Sequence, residues 1–221
     1  AHTSFNIVMT LIWIPLIWLM VKIVMTLIPD GKAVDMDPAK PVFLDDKIIS
    51  QPAAALQLVA KEILHISDIV KDAVSNTIEI VKTEDISQLE GLLEKGKNIK
   101  SLTDKTTEYL ALLFSSGTMT EQQAAQTASL MYILSDVERM GSLSVEIAKC
   151  IQEKEQNNYK YTSEAMEELQ KSLRTLEKMF IDSMKALQGD KSVQIDKMVK
   201  RKDKIMDLDI KMRKAHLQRV N

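Results

Sequence analysis

The chain has 221 residues, 45% of them apolar and 27% charged, with a formal net charge of -2. That composition excludes a disordered chain, and 29 basic against 31 acidic residues leaves no basic excess for a nucleic-acid binder. Six glycines and five prolines are too few for the many turns of a sheet protein.

The first element is the run from Phe5 to Ile28, FNIVMTLIWIPLIWLMVKIVMTLI. As a helix it is about 36 Å long, more than the ~30 Å hydrocarbon core, so residues 1–28 are predicted to form a transmembrane helix. Lys22 is its only charge and lies near the end, where its stem can snorkel to the headgroups. Pro15 is tolerated in such a helix. A signal peptide fits less well, since no basic start precedes the run and no small-x-small cleavage site follows it. A buried soluble helix is the other alternative. The uncharged start Ala1-His2-Thr3 directly before a span is what an upstream portion of the protein would leave. His2 and Asn6 are polar candidates for a transport path, because polar residues in spans often face the protein interior; a place at headgroup level is the plain alternative.

Residues 29–50 contain three prolines and alternating charges and read as a linker, with Ser50 as helix cap and Pro52 in the first turn. The first bundle helix is predicted over 52–81, where Leu56, Val59, Ala60, Ile63, Ile66, Val70, Val74 and Ile78 make one apolar stripe. The second covers 84–115, through Ile86, Leu89, Leu93, Ile99, Leu102, Leu110 and Leu113. The third covers 121–156, opened by a Thr120–Gln123 capping box. The fourth starts after Thr162 or Ser163 and breaks at Gly189-Asp190, and the fifth covers 191–219. Long helices joined by short loops imply an antiparallel up-down bundle, so the fold class is all-α: one transmembrane helix followed by a bundle of long helices. The lone Cys150 can form no intrachain disulfide, which favours a reducing compartment, and it reads as an ordinary helix residue.

Several motifs carry a family resemblance. Leu134-Ser135-Asp136-Val137-Glu138-Arg139-Met140-Gly141-Ser142 resembles the third-helix signature of PhoU-like domains, an Asp-x-Glu-Arg-Ile-Gly-Asp run. Ala1 to Asn6 resembles the opening of the last membrane segment of bacterial Na/phosphate cotransporter family proteins. Phe43-Leu44-Asp45-Asp46, Ser50 to Leu56, Lys61-Glu62-Ile63-Leu64 with Ile66, Tyr109-Leu110-x-x-Leu113 and Arg213-x-x-His216-Leu217-x-Arg219 continue the resemblance in order. It implies the last span of a sodium-dependent phosphate transporter over 1–28, the linker over 29–50, a PhoU-like three-helix repeat over 51–156 and a partial second repeat over 157–221. Five of six bundle helices would be present. The helical domain would be cytoplasmic and regulatory, in a bacterial cell membrane; Lys22 near the end of the span and Lys32 and Lys40 after it agree with that side. The alternative is a membrane-anchored helical interaction module without transport activity.

The same resemblance implies a divalent or iron-type metal held by helix carboxylates, since hard cations take many oxygen ligands. Asp136 and Glu138 match the motif. Ser142 stands where the family has Asp, and Gly96, Lys100, Lys202 and Met206 stand at other acidic places, so the ligand set is incomplete. The competing reading has Asp136 and Glu138 solvated or paired with Arg139 or a neighbouring Lys. His65 reads as a partly exposed helix residue, and His216 as a contact to helix-end carbonyls. No phosphate loop, nucleophile elbow or catalytic dyad is present, so no enzyme activity is expected. The expected partners are membrane lipid, an upstream transmembrane domain of the same protein, sodium and phosphate through that domain, and a second copy of the chain; no nucleic acid is expected. The basic run Lys197 to Arg219 includes Asp203, Asp207 and Asp209 and reads as a salt-bridged face.

Overall fold

The computed structural model describes residues 37–220, with Met9 and Trp13. The predicted span over 1–28, His2 and Asn6 within it, and the first part of the linker otherwise lie outside the described residues, as does the His216 side chain. Among the described residues no helix is long and apolar enough to cross a membrane. The chain divides into two units, Ala1–Pro38 and Ala39–Asn221. The second holds five long helices: α1 (Pro52–Thr83), α2 (Leu89–Ser115), α3 (Glu121–Gln156), α4 (Ser163–Leu187) and α5 (Ile195–Val220). No strand occurs among the described residues.

Helix ends follow local chemistry. Thr120 and Gln123 form the predicted capping box at the start of α3, and the Thr162 hydroxyl accepts from the Ala165 amide at the start of α4. Ser50 is not the cap of α1. Gln51 occupies that position with no side-chain bond, because Pro52 has no N–H to satisfy and the Gln51 carbonyl already accepts from Ala54 and Ala55. The second helix starts at Leu89 rather than 84. Glu84 turns left-handed (φ 57°) to end α1, and Asp85 then caps a separate 3-10 turn, Ile86–Gln88, by accepting from the Ser87 amide. The last helix starts at Ile195 rather than 191, after a turn in which Asp190 accepts from the Ser192 amide. Both aspartates have their carboxyls held below the ordinary value, first by the bond to Ser87 or Ser192.

α1 is the central helix and packs on α2, α3 and α4. The whole predicted stripe is buried except the half-buried Ala60, and Ala55, Ala73, Thr77, Ile80 and Val81 join it, since three neighbours cover more of the helix than one stripe. α1 and α3 run parallel, with the Thr77 hydroxyl donating to the Ser144 carbonyl at 3.1 Å and Lys154 pairing with Glu84. α2 lies antiparallel to α3, where Gly96 faces Val145 and Gly141 faces Ile99. A Cβ on Gly96 would stand 2.8 Å from Val145, so this glycine, read in the sequence as a lost carboxylate position, sets the close approach of the two helices. Leu92, not the predicted Leu93, is the fully buried leucine near the start of α2.

α4 docks antiparallel on α1, Ser75 donating to Glu177 at 2.5 Å, and α5 runs back along α4. Only Leu173 of α4 is buried, and Ile195 at the start of α5 is 69% exposed. Among the described residues the Thr103 hydroxyl is buried without a partner. Thr103→Val is therefore expected to leave stability unchanged or raise it by about 1 kcal/mol, read by urea unfolding; a clear loss would show that the hydroxyl has a partner.

Candidate functional site

The least ordinary chemistry in the bundle sits on the first turns of α1. Glu62 is fully buried, although it is ionisable. Burying a carboxylate costs several kcal/mol unless hydrogen bonds replace the water it loses. Here three donors do so. Glu62 Oε2 accepts from the Val42 amide at 2.8 Å and the Phe43 amide at 2.6 Å, and Oε1 lies 3.0 Å from His65 Nδ1. The Phe43 ring meets the His65 ring edge-on, with centroids 6.2 Å apart.

These bonds belong to a longer strap. The Ala39 carbonyl accepts from Ser101 at 3.1 Å and from the Lys105 ammonium at 2.6 Å. The Tyr109 hydroxyl donates to the Asp45 carbonyl at 2.9 Å, and Leu44, Ile48 and Ile49 pack on the core. Residues 39–49, predicted as linker, are thus docked against α1 and α2. Desolvation, then the charges of Asp46 and Asp45, push the Tyr109 phenol above its ordinary value. A raised value means stability present at neutral pH and lost as pH climbs through the alkaline range beyond the ordinary phenol value. Tyr109→Phe is expected to remove this alkaline loss in pH-dependent melting; an unchanged alkaline limb contradicts the role of the phenol.

The predicted metal residues are not brought together. Asp136 and Glu138 stand two residues apart on α3, about 200° around the helix. Asp136 is exposed and lines an apolar groove of about 370 Å³ with Met140, Phe180 and Met184. Glu138 faces α2, where its carboxylate is 3.9 Å from Lys100 Nζ. Ser142 is exposed. Among the described residues no group of three or more His, Cys, Asp or Glu is placed to hold a metal ion. Cys150 is exposed at a second apolar cleft of about 490 Å³, with Tyr161, Met166 and Met212.

Sequence reasoning misses Glu62 as a site. A signal exists: Glu62 lies three residues after Val59 and four before Ile66, a charge in the register of the buried stripe. His65, read as a partly exposed helix residue, has a side chain 29% exposed and serves the same clasp.

Comparison with known families bears on the domain that carries the clasp. Residues 63–151 match the PhoU domain. The match runs from just after Glu62 on α1 through α2 and to near the end of α3, so it is the three-helix core that is similar to a PhoU domain. α4, α5 and the strap over 39–49 lie beyond the matched PhoU residues. No curated protein and no solved structure gives a match to the chain.

Proposed function

We propose that the chain is the C-terminal part of a sodium-dependent phosphate transporter, in which the PhoU domain is a cytoplasmic regulatory module. The observation that carries this is the PhoU match over 63–151, downstream of a 24-residue apolar run with one charge. The ordered resemblance at Ala1 to Asn6 and Phe43 to Asp46 supports the finer assignment. In this reading residues 1–28 close the transport domain, His2 and Asn6 are its polar candidates, and the second three-helix repeat takes a sixth helix. The strap is the mechanical connection. Whatever moves the segment before Ala39 must work against the bonds to Glu62, Ser101, Lys105 and Tyr109. A regulatory module joined by a bonded strap can transmit force, whereas a loose linker cannot.

The test is uptake of labelled phosphate by cells carrying the full coding region. Uptake is expected to collapse when choline replaces sodium. Uptake indifferent to that exchange overturns the assignment.

A second reading, a membrane-anchored interaction module without transport, is favoured by the open apolar groove between α3 and α4. The coding region upstream of residue 1 discriminates. Further apolar spans with internal repeats support the transporter; an immediate initiator Met supports the module.

A further inference from the structure

The cleft bordered by Cys150 lies where three helices meet over a short stretch. Its walls come from residues 147–151 of α3, 161–169 at the start of α4 and 209–213 of α5. Ile147, Ile151, Met166, Leu169 and Met212 make most of that wall apolar. Its volume of about 490 Å³ falls in the range that takes a drug-sized molecule, roughly 300–1,000 Å³. Glu168 belongs to the same wall, and its Oε2 is buried without a hydrogen-bond partner among the described residues. A buried carboxylate oxygen that has lost water and gained no donor is costly, and a charged donor offsets that cost best.

The charges beside Glu168 select the sign of the missing donor. The other charged residues of the cleft are Asp209 and Arg213, and Arg213 Nε donates to both Asp209 oxygens, at 2.9 and 3.1 Å. That pair is neutral as a unit, and the Arg213 side chain is 76% exposed, so the guanidinium serves Asp209 and water rather than Glu168. One negative charge is left over in a mostly apolar cleft. We propose that the cleft binds a small organic cation with an apolar body, its ammonium donating to Glu168 Oε2 and its body lying among the methionines. Met166 and Met212 suit such a wall, because unbranched, polarizable side chains adapt to the shape they meet. An anion would face an unpaired carboxylate, and a neutral apolar molecule would leave Oε2 without a donor. The sixth helix that the second repeat takes is the other occupant to weigh. A helix seats in a groove that follows its neighbours for several turns. This cleft takes about one turn each from α3 and α5 and two from α4, so a helix would cross it and reach Glu168 with one side chain at most.

The experiment uses the full chain in phosphatidylcholine nanodiscs at neutral pH, with three probes that share one apolar body: phenylbutylamine, phenylbutanol and phenylbutyrate. Cys150 is the chain's one cysteine and is exposed on the cleft wall, so its rate of reaction with a methanethiosulfonate reagent reports occupancy. The amine is expected to protect Cys150 at a concentration about tenfold below that needed for the alcohol, the factor that one charge-assisted hydrogen bond supplies. The carboxylate is expected to give no protection. Glu168→Gln should bring the amine to the level of the alcohol while leaving protection by the alcohol unchanged, which shows that the cleft is still formed. Equal protection by amine and alcohol in the wild type, or none by the amine, overturns the proposal. An amine advantage that survives in Glu168→Gln overturns the role of that carboxylate. Protection of this chain but not of the product of the full coding region overturns the proposal in favour of the sixth helix as the cover.

Discussion

Glu62→Ala lowers the unfolding free energy by about 2–4 kcal/mol, the net of three hydrogen bonds to a charged acceptor against relief of its desolvation. The loss is local before it is global. The Val42 and Phe43 amides, now without an acceptor, exchange faster, and residues 39–49 leave the bundle at a denaturant concentration below that of the helices. Glu62→Gln behaves differently. Its carbonyl oxygen has two lone pairs and can accept both amides, while its amide group donates to His65 Nδ1. That variant costs about 1 kcal/mol for lost charge assistance and moves the His65 proton to Nε2, a tautomer change that nitrogen NMR reads directly. Equal exchange at Val42 and Phe43 in all three proteins would show that the carboxylate does not hold the strap.

Ile66→Ala costs about 2–5 kcal/mol, from lost burial plus the cavity left in a close-packed interior. Ile66 is fully buried on α1, the helix that meets α2, α3 and α4. Because three neighbours share that helix, no single one can move in to fill the space without opening contacts with the others, which places the cost in the upper part of the range. The measurement is urea unfolding followed by helical circular dichroism, with Ile210→Ala as the control on the exposed face of α5. A loss of under about 1 kcal/mol for Ile66→Ala would contradict its place in the core.

The bundle is legible in the sequence because long helices announce themselves through apolar residues three and four apart. The third helix is marked to its final residues by its capping box and by the polar run after it. Starts without side-chain caps are less legible. Nothing in the sequence shows that Glu84 turns left-handed, or that Asp85 caps a short turn of its own before Leu89. α5 has apolar residues on two sides, and composition does not say that only one of them meets a neighbour. The clasp is illegible for a related reason. Periodicity reports which side of a helix is buried but not what lies across from it. Two of the three donors to Glu62 are backbone amides of a proline-bounded segment some 20 residues upstream, chemistry that side-chain patterns do not encode. The Asp136–Glu138 motif, conversely, draws attention as a sequence string, while the helix turns its two carboxylates to different neighbours.

Under the proposed assignment, the strap held by Glu62 is the connection between the helical domain and transport. Sodium-driven phosphate uptake by the full protein, measured for wild type, Glu62→Gln and Glu62→Ala at equal amounts in the membrane, tests this most directly. Near-wild-type uptake is expected for Gln, which keeps the strap, and altered uptake for Ala, which releases it. Identical sodium-driven uptake by all three proteins would contradict the role of the strap.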